Sequence, residues 1–200
     1  MARLSPQNVV QAREVIGRYP VPRSATIPLL HLAQSQDGHV TQDAMAHIAE
    51  LVGSTPAEVY GVASFYEMFK EHPVGRYLLG VCTNLSCMIL GADEILEHVT
   101  GQLGIPAGGT TPDGLFTVEA MQCLAACGGA PCMQVNYRYF EDVTPASVDT
   151  ILDDLRHGRP PLGQQVPDHG TLSSVKLPTP VTASDRVRPE VIHAQGAVES

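Results

Sequence analysis

The sequence predicts an α+β protein, with an N-terminal helical bundle followed by a four-stranded sheet with flanking helices. Three observations carry this prediction. Up to about residue 70 the apolar residues keep to one side of helical windows, and proline and glycine punctuate them. After Pro73 and Gly75 the period changes to short apolar runs and two-residue alternation. All five cysteines lie beyond that change, at Cys82, Cys87, Cys123, Cys127 and Cys132.

Four helices come first. Residues 5–18 form one, with Ser5 as cap, Pro6 at the first helical position, and Val9, Val10, Val15 and Ile16 on one face. The run Tyr19-Pro20-Val21-Pro22 stops it. Residues 25–36 form a second, capped by Ser24, tolerating Pro28 in its first turn and ending before Gly38. Leu29, Leu30, Leu32 and Ala33 make its apolar side. Residues 42–52 form a third, from a Thr41 cap to a stop at Gly53. Thr55-Pro56-Ala57-Glu58 is a capping box that opens a helix running towards Phe65. Phe65, Tyr66, Met68 and Phe69 are expected to pack between the bundle and the next domain, with a surface that docks a partner as the alternative. His31 and His47 have no cysteine or carboxylate at ligand spacing, so they read as ordinary helix residues.

The sheet region follows. Residues 76–81 form a strand that ends at Cys82. Cys87 opens a helix to about Val99, with Gly101 after it. Thr111-Pro112-Asp113-Gly114 is a turn, and residues 115–120 a second strand leading straight to Cys123. Residues 133–135 and 139–142 supply two more strands. Thr144 caps a last helix that buries Val148, Ile151, Leu152 and Leu155 and closes at Gly158. The order β-α-β-β-α suits a thioredoxin-like layer of helices on a sheet. The chain thus divides into a bundle (1–73), a sheet domain (74–158) and a Pro-rich tail (159–200), extended, disordered or ordered against a partner.

Charge and composition exclude several functions. A net charge of −9 and a pI near 5.2 argue against nucleic-acid binding. No apolar run approaches the roughly 20 residues that span a bilayer, so membrane association must come through a partner. The polar N-terminus has no apolar signal region, which points to the cytoplasm. No G-x-G-x-x-G follows a strand, since Gly108-Gly109 precedes a turn, and no Ser/His/Asp or paired-carboxylate arrangement stands out. Asp93, Glu94 and Glu97 form a solvated helix face.

The cysteines carry the chemistry. Four residues separate Cys82 from Cys87 and three separate Cys123 from Cys127, and each pair follows the C-terminal end of a strand. Functional loops of open α/β sheets gather there, and the pairs converge if the two strands are neighbours. In a reducing compartment such pairs bind metal more often than they form disulfides. Two thiolate pairs fit either a structural zinc ion or a [2Fe–2S] rhomb with two thiolates on each iron, and spacing alone leaves both open.

Further stretches carry a resemblance. They include Ile27-Pro28-Leu29-Leu30, Glu58-Val59-Tyr60-Gly61-Val62-Ala63-Ser64-Phe65-Tyr66, Thr111-Pro112-Asp113-Gly114-Leu115-Phe116, the span from Cys123 to Cys127, Ala130-Pro131 and Val135-Asn136. Over residues 15–158 the chain resembles the E-type subunits of respiratory NADH:quinone oxidoreductase, complex I. The resemblance implies one [2Fe–2S] cluster on Cys82, Cys87, Cys123 and Cys127, working as a one-electron carrier. It implies that FMN and NADH sit on a partner, the F-type subunit, within the peripheral arm at the inner face of the cell membrane. Equivalent diaphorase subunits of NAD-linked formate dehydrogenases and hydrogenases share the pattern. A zinc-stabilised thioredoxin-like binding module is the non-electron-transfer alternative. Gly128-Gly129, Thr83, Asn84 and Ser86 are the expected hydrogen-bond donors to sulfur. Two positions depart from the family. Ala125 stands where the family carries glycine, at a cost of about 1 kcal/mol if φ is positive there. Cys132 is an additional thiol, expected as a small buried residue beside the site, with ligand substitution as its alternative.

Overall fold

The computed structural model describes residues 3–166. Four helices build the N-terminal region: α1 (Pro6–Ile16), α2 (Thr26–Asp37), α3 (Gln42–Val52) and α4 (Pro56–Phe65). The predicted caps of α1, α3 and α4 are present, with Ser5, Thr41 and Thr55 accepting from the N–H groups of Asn8, Ala44 and Glu58. Glu58 completes the capping box by accepting from the Thr55 backbone. The start of α2 differs from expectation. Ser24 does not cap it; a 3-10 turn, Pro22–Ala25, runs directly into the helix instead. Pro22 fixes the first φ of that turn, so the chain is already helical at Ser24.

The bundle core is aliphatic, centred on Leu29, Leu30, Ile48 and Val59. Of the expected aromatic seam only Phe69 is buried; Phe65 is 77% exposed, and Tyr66 and Met68 also reach solvent. His31 is buried against Phe69, with ring centroids 4.8 Å apart, and its Nδ1 has no partner among the described residues. Burial holds its pKa below the usual 6.5, so the unfolded chain binds a proton before the folded one does. Its stability contribution is therefore complete above pH 6.5 and is lost as pH falls through 6.5 towards the folded value. His47 shifts the same way, through burial and then the nearby Arg3. We expect His31→Leu to flatten, though not abolish, the loss of stability between pH 7 and 5 in urea titrations; an unchanged slope would refute the assignment.

Gln34 fastens the segment that leaves the bundle. Its side chain is fully buried, donates to the Met68 carbonyl at 2.9 Å and accepts from the Lys70 N–H at 2.7 Å. Lys70 in turn holds both carboxylate oxygens of Glu119 at 2.8 Å, a link across to the sheet. Replacing Gln34 by Leu strands the buried Lys70 N–H, while the Met68 carbonyl keeps the Tyr137 hydroxyl at 3.0 Å, and should destabilise the chain by about 1–3 kcal/mol, read as a fall in the urea midpoint.

The sheet comprises β1 (Tyr77–Cys82), β2 (Phe116–Met121), β3 (Met133–Val135) and β4 (Arg138–Phe140), in the order β2-β1-β3-β4. β1 runs parallel to β2 and antiparallel to β3, and β3 pairs antiparallel with β4. The single helix expected after Cys87 is two. A short α5 (Leu85–Ile89) precedes α6 (Ala92–Leu103). Gly91, at φ 95°, makes the break, a conformation side chains oppose. Gly101 does not end α6, which runs on to a left-handed stop at Gly104. α7 (Pro145–Arg156) carries the predicted Thr144 cap. The sheet core packs β1, β2 and β3 against α6 and α7 through Leu79, Phe116, Val118, Val99, Ile151 and Leu152. Beyond α7, Pro161–Gly163 form a 3-10 turn with Pro161 buried, and Val166 packs against this core. The rest of the predicted tail, 167–200, lies outside the described residues.

Candidate metal centre

The parallel pairing of β1 with β2 brings the cysteine loops to one sheet edge. Cys82, the last residue of β1, stands opposite Met121, the last of β2. Thr83 ties the loops together, donating from both its N–H and its hydroxyl to the Met121 carbonyl, at 2.8 and 2.9 Å. Asn84 then caps α5 by accepting from the Leu85 N–H, and this one turn of helix folds Cys87 back under the loop. Both Cys82 and Cys87 are 2% exposed.

Cys132 arrives from the other side. It immediately precedes β3, the antiparallel neighbour of β1, and its carbonyl accepts from the Cys82 N–H at 3.1 Å. The sulfurs of Cys82, Cys87 and Cys132 lie within 4.8 Å of one another, and those of Cys87 and Cys132 are 3.6 Å apart. Leu124, Ala92 and Ala130 complete a small apolar nest around the three. Cys123 and Cys127 lie exposed on the loop after β2, outside this group. Of the four expected ligands, the structure therefore gathers Cys82 and Cys87 closely, with Cys132 as their third neighbour.

The electrostatics separate the thiols. Burial pushes the Cys82 thiol up, but the backbone N–H groups of Leu124 and Asn84, together with hydrogen bonds from the Cys87 and Cys132 thiols, lower its pKa overall. Burial raises Cys87, and pushes Cys132 up to about 12 with Cys87 adding to the shift. A bound metal ion would override these differences for the residues it touches, since coordination deprotonates a thiol outright. The donor set suits a soft metal or an iron–sulfur cluster: it is all sulfur, and backbone N–H groups point at it. Ala125 adds a further such group, its N–H reaching the Cys123 sulfur at 3.4 Å.

Two of the expected donors are otherwise engaged. Thr83 is committed to Met121, and the Gly129 N–H donates to the Ala126 carbonyl at 3.1 Å inside the 3-10 turn Cys127–Gly129. Gly129 is needed for space instead: a Cβ there would sit 2.6 Å from that of Glu141. The Leu124 N–H is a donor with no signal in the sequence. Cys132 does carry one, its spacing from Cys127, which is identical to that between Cys82 and Cys87.

Ala125 sits at φ 59°, the left-handed conformation that glycine adopts freely. Ala125→Gly should relieve about 1 kcal/mol of strain, partly offset by the freedom glycine adds to the unfolded chain. A urea midpoint that stays or falls would show that the loop carries no such strain.

A thioredoxin-like sheet whose edge gathers thiols under backbone donors defines a class, the thiolate-ligated iron–sulfur or metal-binding domains. The family model of the thioredoxin-like [2Fe-2S] ferredoxins matches residues 12–156, and the chain belongs to that family. It is 44% identical over 151 residues to the E-type subunit of the NADH-quinone oxidoreductase of Mycobacterium tuberculosis, a span of 76% of this chain and 60% of that protein. It is also 44% identical over 149 residues to NADH-quinone oxidoreductase subunit 2 of Thermus thermophilus, covering 73% of this chain and 82% of that one. Among solved structures, an NAD+-reducing [NiFe]-hydrogenase in the H2-reduced state shares the fold, with a TM-score of 0.60 and 23% identity over 68% of this chain and 23% of the other. Among the described residues no helix is long and apolar enough to cross a membrane.

Proposed function

We propose that this chain is the cluster-bearing E-type subunit of an NADH:quinone oxidoreductase, and that Cys82, Cys87, Cys123 and Cys127 hold one [2Fe–2S] cluster. The family match across 12–156, a span that includes all four cysteines, carries this reading. When bound, such a cluster supplies a one-electron reservoir whose negative charge grows on reduction. The chain's part is to hold that charge in a protein that is itself acidic. The N–H groups of Leu124 and Asn84 at Cys82, and of Ala125 at Cys123, do so as fixed dipoles that need no rearrangement. Removing donors lowers the potential, and adding them raises it.

The remaining chemistry belongs to partners. FMN and NADH sit on an F-type subunit in this reading, within a peripheral arm at the inner face of the cell membrane. An exposed apolar ridge beside the site, formed by Leu85, Met88, Ile89 and Leu90, supports a life in a complex. We also propose the functional division 1–73, 74–158 and 159–200, bundle, cluster domain and tail, for which the separate aliphatic and sheet cores give support.

Electron paramagnetic resonance of the purified chain, with iron and sulfide analysis, tests the reading. A silent oxidised sample and a rhombic S = 1/2 signal after dithionite, with equal iron and sulfide, are expected. Zinc without a signal would replace electron transfer with a structural role. A second assembly, a hydrogenase diaphorase module, draws on the fold likeness to the NAD+-reducing enzyme. Affinity purification from the native host separates the two, since hydrogenase subunits would take the place of the quinone-reducing arm.

A further inference from the structure

Cys132 is the fifth thiol, beyond the four that a [2Fe–2S] cluster takes. It is buried and held by the sheet: its carbonyl accepts from the Cys82 N–H at 3.1 Å, and the next residue, Met133, pairs with Val81. Its sulfur lies 3.6 Å from that of Cys87, in a hydrogen bond that either thiol can donate in the cluster-free chain. Leu124, Ala92 and Ala130 make the surroundings otherwise apolar.

The cluster's own coordination fixes what this fifth thiol does. Each iron takes two protein thiolates beside its two bridging sulfides. Cys82, Cys87, Cys123 and Cys127 fill all four protein positions, so neither iron is open to Cys132. A coordinated thiolate has lost its proton and only accepts a hydrogen bond. Once Cys87 is a ligand, the one S–H left in the pair is that of Cys132. The apolar nest and the negative cluster both favour a neutral thiol there over a further thiolate.

We infer that the Cys132 S–H donates to the Cys87 sulfur in the cluster-bearing chain and holds the cluster's reduction potential up. The inference rests on the [2Fe–2S] reading above. It makes Cys132 a positioning residue that acts through Cys87 without touching iron. Reduction adds negative charge, part of which spreads onto the thiolates, so a donor at a ligand sulfur stabilises the reduced state more than the oxidised one. A thiol is a weak donor, but a buried hydrogen bond is electrostatically stronger than one in water. The backbone bonds of Cys132 and Met133 to β1 keep this donor in place before the electron arrives. The step is an electron gain alone: the proton stays on the Cys132 sulfur, and no bond forms or breaks.

The test compares the full-length wild type, Cys132→Ala and Cys132→Ser after the same anaerobic reconstitution, reading iron and sulfide content and a redox titration of the paramagnetic signal. Both variants should keep iron and sulfide at the wild-type level. Cys132→Ala should have a lower midpoint potential. Its ratio of reduced to oxidised cluster at a fixed potential should fall by about three- to tenfold, tenfold being about 59 mV for one electron. Cys132→Ser keeps a donor, and its midpoint should lie above that of Cys132→Ala. A Cys132→Ala midpoint at or above wild type overturns the inference. Loss of iron from Cys132→Ala overturns it as well, since Cys132 would then be a ligand. A Cys132→Ser midpoint equal to that of Cys132→Ala reduces the effect to lost packing and also overturns it. Where Cys132→Ala does not fold, the larger apolar Cys132→Val takes its place in the comparison. A wild type that takes up no iron and sulfide sinks the parent reading and this inference with it, whereas variants with unshifted potentials sink this inference alone.

Discussion

Cys82→Ala is expected to abolish cluster binding. Cys82 ends β1, receives the backbone N–H groups of Leu124 and Asn84, and has the lowered thiol pKa of the buried three. It therefore supplies the thiolate most readily and meets the lowest cost in deprotonation. Losing a partner in the outer shell of a metal site already costs 10–100-fold in affinity, so losing this ligand should reduce retained iron by at least about tenfold. The fold should survive, since the register of β1 with β2 and β3 is set by backbone pairing. Iron analysis and circular dichroism on one sample check both halves; an iron content equal to wild type would overturn the assignment of Cys82.

Phe116→Ala should destabilise the chain by about 3–5 kcal/mol. Phe116 is 1% exposed at the start of β2, packs its ring 5.9 Å from that of Tyr77, and lies under the Arg156 guanidinium, 5.9 Å from the ring centroid. Truncation removes a large apolar surface and leaves a cavity between a strand at the sheet's edge and α7. Against a total stability of about 5–15 kcal/mol, that loss is a large fraction. The consequence reaches the site, because β2 delivers the Cys123 loop to its place beside Cys82. Phe65→Ala is the control: Phe65 is 77% exposed, and its truncation should stay within about 0.5 kcal/mol. Urea unfolding of both variants with the wild type checks the contrast; a Phe116→Ala midpoint close to that of Phe65→Ala would refute it.

The helix boundaries are legible where the code is local. Ser5, Thr41, Thr55 and Thr144 each accept from a backbone N–H three residues on, and each is visible as a cap in the sequence. Sequence and structure part where a distant contact or an unexpected break outweighs propensity. Gly101 reads as a stop, yet α6 passes through it because Val99 and Leu103 pack on the sheet core. Cys87 reads as the start of a long helix, yet Asn84 starts a shorter one and Gly91 breaks it. Phe65 and Phe69 are alike in kind and both meet the Tyr66 ring; the packing of Phe69 on His31 in the bundle is what distinguishes them.

By itself the sequence determined the α+β order, the caps, the placing of the cysteines after strand ends and the all-sulfur donor chemistry, because those depend on neighbours within a few residues. The tertiary structure decided which sulfurs meet. The separation of Cys87 from Cys132 and the Leu124 N–H trained on Cys82 follow from the strand order β2-β1-β3-β4 and from loops folded over that edge. Such pairings join residues some forty positions apart, and their geometry is fixed only when the whole sheet forms.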